Sequence, residues 1–162
     1  YLSCMLILLS FVTVNAQEKK ELKEGDQAPT FKYLDINGKE VSLSDLKGKY
    51  VYIDVWATWC GPCQYELPHL KELEKKMHGK KIVFVSISCD KDKAAWEKMV
   101  KEQGLGGVQL HNGGDREFMT AFGIRGIPRF ILLDKEGKIV NPNMTRPSNP
   151  ETEKTLKALK GI

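Results

Sequence analysis

The sequence contains little cysteine and histidine, and it has no block of like charge. Four cysteines and three histidines among 162 residues are too few for a disulfide-stapled miniprotein. The 25 basic and 21 acidic residues are interleaved and leave a net charge of +4, so no nucleic-acid partner is expected. With 41% hydrophobic residues and no internal repeat, the chain is predicted to fold as one globular domain. It is expected to be a monomer without metal or cofactor.

The N-terminal segment differs in character from the rest of the chain. Residues 2–14 form an apolar run without a charge, and Val14-Asn15-Ala16 precedes a polar stretch that starts at Gln17. This pattern is typical of a secretory signal with a small-residue cleavage site, and the run is shorter than the roughly 20 residues of a membrane-spanning helix. We therefore predict a signal peptide at 1–16, with a partial membrane anchor as the alternative. A flexible lead-in is predicted at 17–27 and the domain at 28–162.

Strand-like and helix-like patterns alternate through this domain. Asn37-Gly38 between two short β patterns predicts an N-terminal hairpin, and the β-branched runs at 49–56 and 81–88 predict buried strands. The remaining predicted elements are helices from Cys63 to near 79, at 92–103, at 115–123 and from 149 to about 160, and strands at 108–110, 130–133 and 138–140. This order predicts an α/β fold with a mixed central sheet flanked by helices.

A pair of cysteines stands where a predicted buried strand passes into a predicted helix, in Trp59-Cys60-Gly61-Pro62-Cys63. A zinc site would need a second ligand pair at short spacing, and His69, His78 and His111 form no such pair with Cys89. A structural disulfide across only four residues would constrain the unfolded chain little. The motif therefore indicates redox chemistry.

The position of the motif assigns different roles to its cysteines. Cys60 is expected at the helix N-terminus, where free backbone N–H groups and the helix dipole stabilise a thiolate. Cys60 is therefore the predicted nucleophile. Cys63 lies one turn further, is shielded, and is predicted to resolve the mixed disulfide. Pro62 supplies a fixed φ at the helix start without removing a needed hydrogen bond.

The segment from Val55 to Pro68, VWATWCGPCQYELP, resembles the active site of thioredoxin-fold thiol-disulfide oxidoreductases, specifically the exported TlpA/ResA-like branch of bacteria. The resemblance covers about residues 25–160, and residues 89–110 resemble the helix and strand inserted in this branch. Gly126-Ile127-Pro128 resembles the family's cis-proline loop. The resemblance implies that Pro128 is cis and packs against the cysteines, and that the backbone of Ile127 pairs with an extended substrate segment. It further implies a periplasmic location, protein disulfide substrates and a membrane thiol-disulfide electron donor.

Two carboxylates are candidates for proton transfer at the resolving cysteine. Asp54 lies six residues before Cys60 in an apolar strand and matches the buried acid of thioredoxins, where burial would raise its pKa. Glu66 lies three residues after Cys63 and matches the acidic position of the ResA-like branch, although a solvated helix residue is the alternative. Members of that branch often lack the strand acid, so the presence of both leaves open which one transfers the proton.

Two further residues, Trp59 and Cys89, carry alternatives. Trp59 either presents an apolar surface to the substrate or is a core aromatic, whereas Trp96 is predicted to lie in the core. Cys89 follows a predicted strand and is either a small buried hydrophobe or a third redox thiol.

The predicted function is an exported thiol-disulfide oxidoreductase that reduces protein disulfides, since the Gly-Pro dipeptide resembles that of reducing thioredoxins. A disulfide donor or isomerase is one alternative. A thiol peroxidase is another, but Ile53 and Ala57 stand where the peroxidase motif has Pro and Thr. A copper-delivery module on the same fold is the non-enzyme alternative. Such a module would use a cysteine pair spaced one residue further apart than Cys60 and Cys63.

Overall fold

The computed structural model describes residues 21–162. The predicted signal segment, residues 1–16, lies outside this range. Within residues 21–162, no helix is both long and apolar enough to cross a membrane.

In the described part of the chain, seven strands and four α-helices follow one another in the predicted order. The strands are β1 Lys32–Asp35, β2 Glu40–Ser42, β3 Tyr50–Trp56, β4 Ile82–Ser88, β5 Val108–His111, β6 Arg129–Leu133 and β7 Ile139–Asn141. The helices are α1 Gly61–Lys76, α2 Lys93–Gln103, α3 Arg116–Ala121 and α4 Pro150–Lys157. A short 3-10 turn, Leu43–Leu46, follows β2.

The strands form one mixed sheet in the order β2-β1-β5-β4-β3-β6-β7. Strands β3, β4 and β5 are parallel, with Asp54 opposite Ser86 and Ser86 opposite Gln109. The other pairings are antiparallel, including the β1–β2 hairpin and the β3–β6 pair. The predicted mixed sheet and N-terminal hairpin are confirmed. Helix α2 and strand β5 occupy the expected insertion, and β5 joins the hairpin to the parallel strands.

Side-chain caps explain why three of the helices begin where they do. Asp92 accepts a hydrogen bond from Ala95 N at the start of α2, and Asn149 accepts one from Glu151 N at the start of α4. Asp115 caps α3 in the same way through Glu117 N. Each carboxylate or amide oxygen satisfies a backbone donor that the helix leaves free. At the other end of α2, Gly104 adopts φ 56°, a left-handed conformation that suits glycine.

Apolar side chains fill both faces of the sheet. Helices α1, α2 and α4 cover one face, and α3 with the segment before β1 covers the other. On the first face, Trp56 and the α2 residue Trp96 are fully buried in the same cluster as Cys60 and Cys63. The core prediction for Trp96 is confirmed. The cysteine pair therefore packs within a cluster that contains two fully buried tryptophans.

The structure differs from the sequence prediction at both ends of the domain. Pairing begins before residue 28, because Gly25 N donates to Ile139 O, Ile139 N donates to Asp26 O and Gln27 forms a bridge with Lys138. At the C-terminal end, α4 stops at Lys157 with Ala158 as its cap, three residues short of the prediction. The lead-in segment was polar, and nothing in its own pattern indicates the partner strand more than 100 residues later.

Candidate active site

The cysteine pair stands at the start of α1, where the buried strand β3 ends. Cys60 is the N-cap residue with extended backbone angles, and its Sγ accepts a hydrogen bond from Cys63 N at 3.2 Å. Gly61 and Pro62 form the exposed first positions of the helix. The two cysteines form a disulfide with Cα atoms 5.2 Å apart. The expected cap position of Cys60 is confirmed, and a sulfur there faces the positive end of the helix dipole.

The buried carboxylate of Asp90 fixes the turn between β3 and Cys60. Asp90 is 2% exposed, and its oxygens accept hydrogen bonds from Thr58 N, at 3.0 Å, and from Thr58 Oγ1, at 2.7 Å. Ser88 Oγ donates to the same carboxylate at 2.6 Å. The side-chain amide of Gln64 donates to the carbonyl of Thr58 from the opposite side. The residues between β3 and Cys60 are thus fixed from both the sheet and the helix.

Asp54 lies on β3 beneath α1. Its neighbours along the strand, Tyr52 and Trp56, pack against apolar side chains of α1, so the carboxyl between them faces the same helix. Asp54 is 4% exposed, and burial raises its pKa from 3.8 to about 7. Ser86 Oγ donates to it at 3.3 Å and opposes this rise. The expected raised pKa is confirmed, and it suits a group that takes up and releases a proton near neutral pH.

Glu66 is also buried, at 3% exposure, one turn after Cys63 on α1. Its carboxylate accepts two hydrogen bonds from Ser148, one from the backbone N at 2.9 Å and one from Oγ at 2.8 Å. The alternative of a solvated helix residue is therefore wrong. Ser148 stands 82 residues away in sequence, so no local pattern around Glu66 indicates this partner.

The predicted substrate-contacting residues surround the disulfide. The peptide bond between Ile127 and Pro128 is cis, as the resemblance implied. Ile127 packs against the cluster that contains both cysteines, and its backbone makes no hydrogen bond to another residue within 21–162. Trp59 is 69% exposed, which excludes the core alternative. Tyr65, which the sequence analysis did not single out, lies two residues after Cys63 on α1 and is 64% exposed.

Cys89 is the free cysteine of the described chain, and it is half-buried. It follows β4, and its backbone N donates to Trp56 O at 2.9 Å. Burial, followed by the charge of Asp90, raises the pKa of its thiol. A thiol with a raised pKa carries little thiolate at neutral pH, which favours the packing alternative over a third redox thiol.

A mixed sheet of this order, with a disulfide of CXXC spacing at the N-terminus of the helix after β3 and a cis-proline beside it, defines a thiol-disulfide oxidoreductase with a thioredoxin-like fold. Residues 23–159 match the family model described as Redoxin, and the chain belongs to this family.

Individual relatives agree with that class. The chain is 32% identical over 143 residues to the thiol-disulfide oxidoreductase ResA of Bacillus anthracis, covering 88% of this chain and 82% of the relative. A candidate thiol-disulfide oxidoreductase of Bacteroides vulgatus, solved in solution, is 67% identical with a TM-score of 0.73, covering 78% of this chain and 83% of that one. A crystal structure of another candidate from the same organism is 40% identical with a TM-score of 0.79, covering 85% of this chain and 96% of that one.

Proposed function

We propose that the chain is an exported reductant of protein disulfides, with Cys60 as nucleophile and Cys63 as resolving thiol. The observation that supports this assignment is the position of Cys60 as the N-cap of α1, with Cys63 N–H directed at its sulfur. These donors stabilise a thiolate at Cys60 and not at Cys63. Disulfide-containing substrates follow from the class of the protein. The direction of electron flow, the partners and the location are parts of the proposal.

The reaction starts from the reduced dithiol. The Cys60 thiolate attacks one sulfur of the substrate disulfide, a mixed disulfide forms, and the other substrate sulfur leaves as a thiolate that takes up a proton. Cys63 then loses its proton and attacks Cys60 Sγ, which forms the Cys60–Cys63 disulfide and releases the second substrate thiol. Two electrons and two protons thus pass from the dithiol to the substrate.

Asp54 is the proposed acceptor of the Cys63 proton, because its carboxyl lies beneath α1 and has a pKa of about 7. A group with that pKa is ionised in part at neutral pH and can both accept and return a proton. Glu66 is the second proposed proton carrier. Its two hydrogen bonds from Ser148 connect it to the segment before α4.

Trp59, Gly61 and Pro62 are the proposed contact surface for the substrate around the disulfide. The backbone of Ile127, which has no hydrogen-bond partner within the described residues 21–162, is the proposed edge with which an extended substrate segment pairs. Pairing with the Ile127 backbone involves main-chain atoms of the substrate, so this contact accepts substrates of different sequence.

Export and recharging complete the proposal. The uncharged run at residues 2–14 supports export as a secreted or membrane-anchored protein, and the bacterial branch that the sequence resembles supports a periplasmic location. An exported reductant needs a source of electrons outside the cytoplasm. We assign that role to a membrane thiol-disulfide electron donor, and we assign a monomeric state to the chain.

Trapping of substrates tests the two cysteine roles. In a chain with Cys4→Ser and Cys89→Ser, the further change Cys63→Ser should leave Cys60 joined to substrates in stable mixed disulfides, visible on non-reducing gels of bacterial extracts. The matched variant with Cys60→Ser should trap few or none, because it lacks the nucleophile. Equal trapping by both variants would refute the assignment.

A further inference from the structure

A cleft of about 520 Å³ lies beside Pro128. Pro128 and Phe130 form one wall, and residues of the 143–149 segment, which connects β7 to α4, form the other. The cleft adjoins the active site at two points. Ile127, which precedes Pro128, packs against the cluster of Cys60 and Cys63, and Ser148 of the segment donates to Glu66. The cleft therefore lies next to residues that the proposed function places at the substrate site.

The 143–149 segment is held in place by contacts with the rest of the domain. Met144 N donates to Phe130 O at 2.9 Å, and Tyr52 Oη donates to Thr145 O at 2.9 Å. Thr152 Oγ1 donates to Arg146 O at 2.6 Å. These bonds fix the wall before any ligand arrives, which lowers the entropy lost when a ligand binds.

One arginine lines the cleft, and two others lie near its lining residues in sequence. Of the four arginines in the full sequence, Arg146 lines the cleft. Arg129 directly follows the lining residue Pro128 and Arg125 stands three residues before it, and neither lines the cleft. Arg129 Nε donates to Pro142 O at 2.9 Å and supports the turn after β7. Arg125 and Arg146 are exposed, and neither forms an ion pair with another residue in the described range 21–162. Their guanidinium groups are available to a ligand.

The acidic residues near the cleft already have partners. Glu66 accepts its hydrogen bonds from Ser148, which carries no charge, so these bonds do not neutralise the carboxylate. On α4, Glu151 pairs with Lys154 at 2.6 Å, and Glu153 pairs with Lys76 at 2.9 Å and Lys157 at 2.6 Å. Arg146, in contrast, lines the cleft and forms no ion pair with any other residue between 21 and 162. Among the residues that line the cleft, Arg146 alone carries a charge.

We infer that this cleft binds an acidic side chain of the substrate protein, with Arg146 as the main contact, while the cysteine-containing segment of the substrate lies along Ile127. This inference rests on the proposed function and adds a substrate preference to it. A guanidinium presents paired N–H donors that match the two oxygens of a carboxylate. The side-chain amides of Asn143 and Asn149, which also line the cleft, offer further donors.

Two synthetic disulfide peptides of equal length test the inference. One carries two aspartates and the other two lysines next to the same cysteine, and the reduced full chain reduces each in single-turnover reactions followed by chromatography of the peptide thiols. The wild type should reduce the acidic peptide about fivefold to tenfold faster at low salt, and the ratio should shrink as salt screens the charges.

Charge reversal at the cleft provides the decisive comparison. Arg146→Glu should reverse the peptide preference, and Arg146→Gln should abolish it without reversing it. The control variant Arg116→Glu changes an exposed arginine on α3, on the opposite face of the sheet, and should leave the wild-type ratio unchanged. Equal rates for the two wild-type reactions, or an unchanged ratio in Arg146→Glu, would overturn the inference.

An uncharged small disulfide separates this inference from the function on which it rests. Bis(2-hydroxyethyl) disulfide should be reduced at the same rate by the wild type and by all three variants, because it has no carboxylate. If the reduced wild type does not reduce it, the proposed function fails and the substrate preference fails with it. If it is reduced while the peptides are not distinguished, the preference alone is wrong.

Discussion

Asp54→Asn should stabilise the oxidised protein at high pH and leave its stability unchanged at low pH. Burial raises the pKa of Asp54 from 3.8 to about 7, the Ser86 hydroxyl lowers it, and the charges of Glu74 and Glu66 raise it further. The folded protein therefore holds a proton that the unfolded chain releases. Asparagine has nearly the same shape and carries no charge, so it removes this difference.

The size of the effect follows from the two pKa values. The difference from 3.8 to about 7 is about 3 units, and each unit corresponds to about 1.36 kcal/mol. Ionised Asp54 therefore costs the folded state on the order of 4 kcal/mol. Below about pH 4 the carboxyl is protonated in both states and the cost is absent. The cost grows as pH rises between the two pKa values and is complete above about pH 7.

Urea unfolding of the wild type and the variant at about pH 4 and about pH 8.5 measures this difference. Asp45→Asn is the control, because Asp45 is an exposed carboxylate whose pKa is lowered by hydrogen bonds from Ser42. That variant should gain no stability at high pH. An equal effect of Asp54→Asn at both pH values, or a loss of stability at the higher one, would refute the reasoning.

The same variant also tests the proposed proton transfer. If Asp54 accepts the Cys63 proton, Asp54→Asn should slow the release of substrate from the mixed disulfide by about 100-fold or more, the range typical of a lost general base. Formation of the mixed disulfide by Cys60 should keep its rate. Rapid mixing with acid quenching separates the two steps, and an unchanged release rate would assign the proton to another group.

Two further predictions follow from the surroundings of the disulfide. Ser148→Ala should lower the free energy of unfolding by about 1–2 kcal/mol, because buried Glu66 loses a hydroxyl donor. Ser44→Ala, which removes an exposed hydroxyl, serves as the control. Equal urea midpoints for Ser148→Ala and the wild type would contradict this prediction. The second prediction concerns Cys89 in a variant with Cys4→Ser, Cys60→Ser and Cys63→Ser. In the folded variant, Cys89 should react with a thiol reagent far more slowly than in urea, because its thiol is half-buried with a raised pKa. Similar rates in the folded and the urea-unfolded variant would contradict this and support the third redox thiol.

The elements could be predicted because local signals determine them. Asn37-Gly38 indicated the hairpin, and Gly38 indeed adopts φ 79° at that turn. The predicted helix starts at 92, 115 and 149 coincide with Asp92, Asp115 and Asn149, whose side-chain oxygens cap the next turn. Likewise, the strand-to-helix junction was enough to place Cys60 at the cap position.

Contacts between distant segments were beyond such reasoning. The burial of Glu66 depends on Ser148, and the fixed turn before Cys60 depends on Asp90, 32 residues after Thr58. Neither partner has a local pattern that indicates its role. The cis bond before Pro128 came from the family resemblance, since an X–Pro bond is cis in only about 5% of cases. The cleft beside it is formed by segments that no sequence pattern brings together.

The reduction potential of the Cys60–Cys63 pair tests the central claim most directly. Equilibration of the protein in thiol-disulfide buffers of known composition, followed by quantification of the free thiols, gives this value. A reductant should lie close to thioredoxin, at about −270 mV. A value near about −120 mV, that of a strong oxidant, would contradict the account and assign the protein to the disulfide donors.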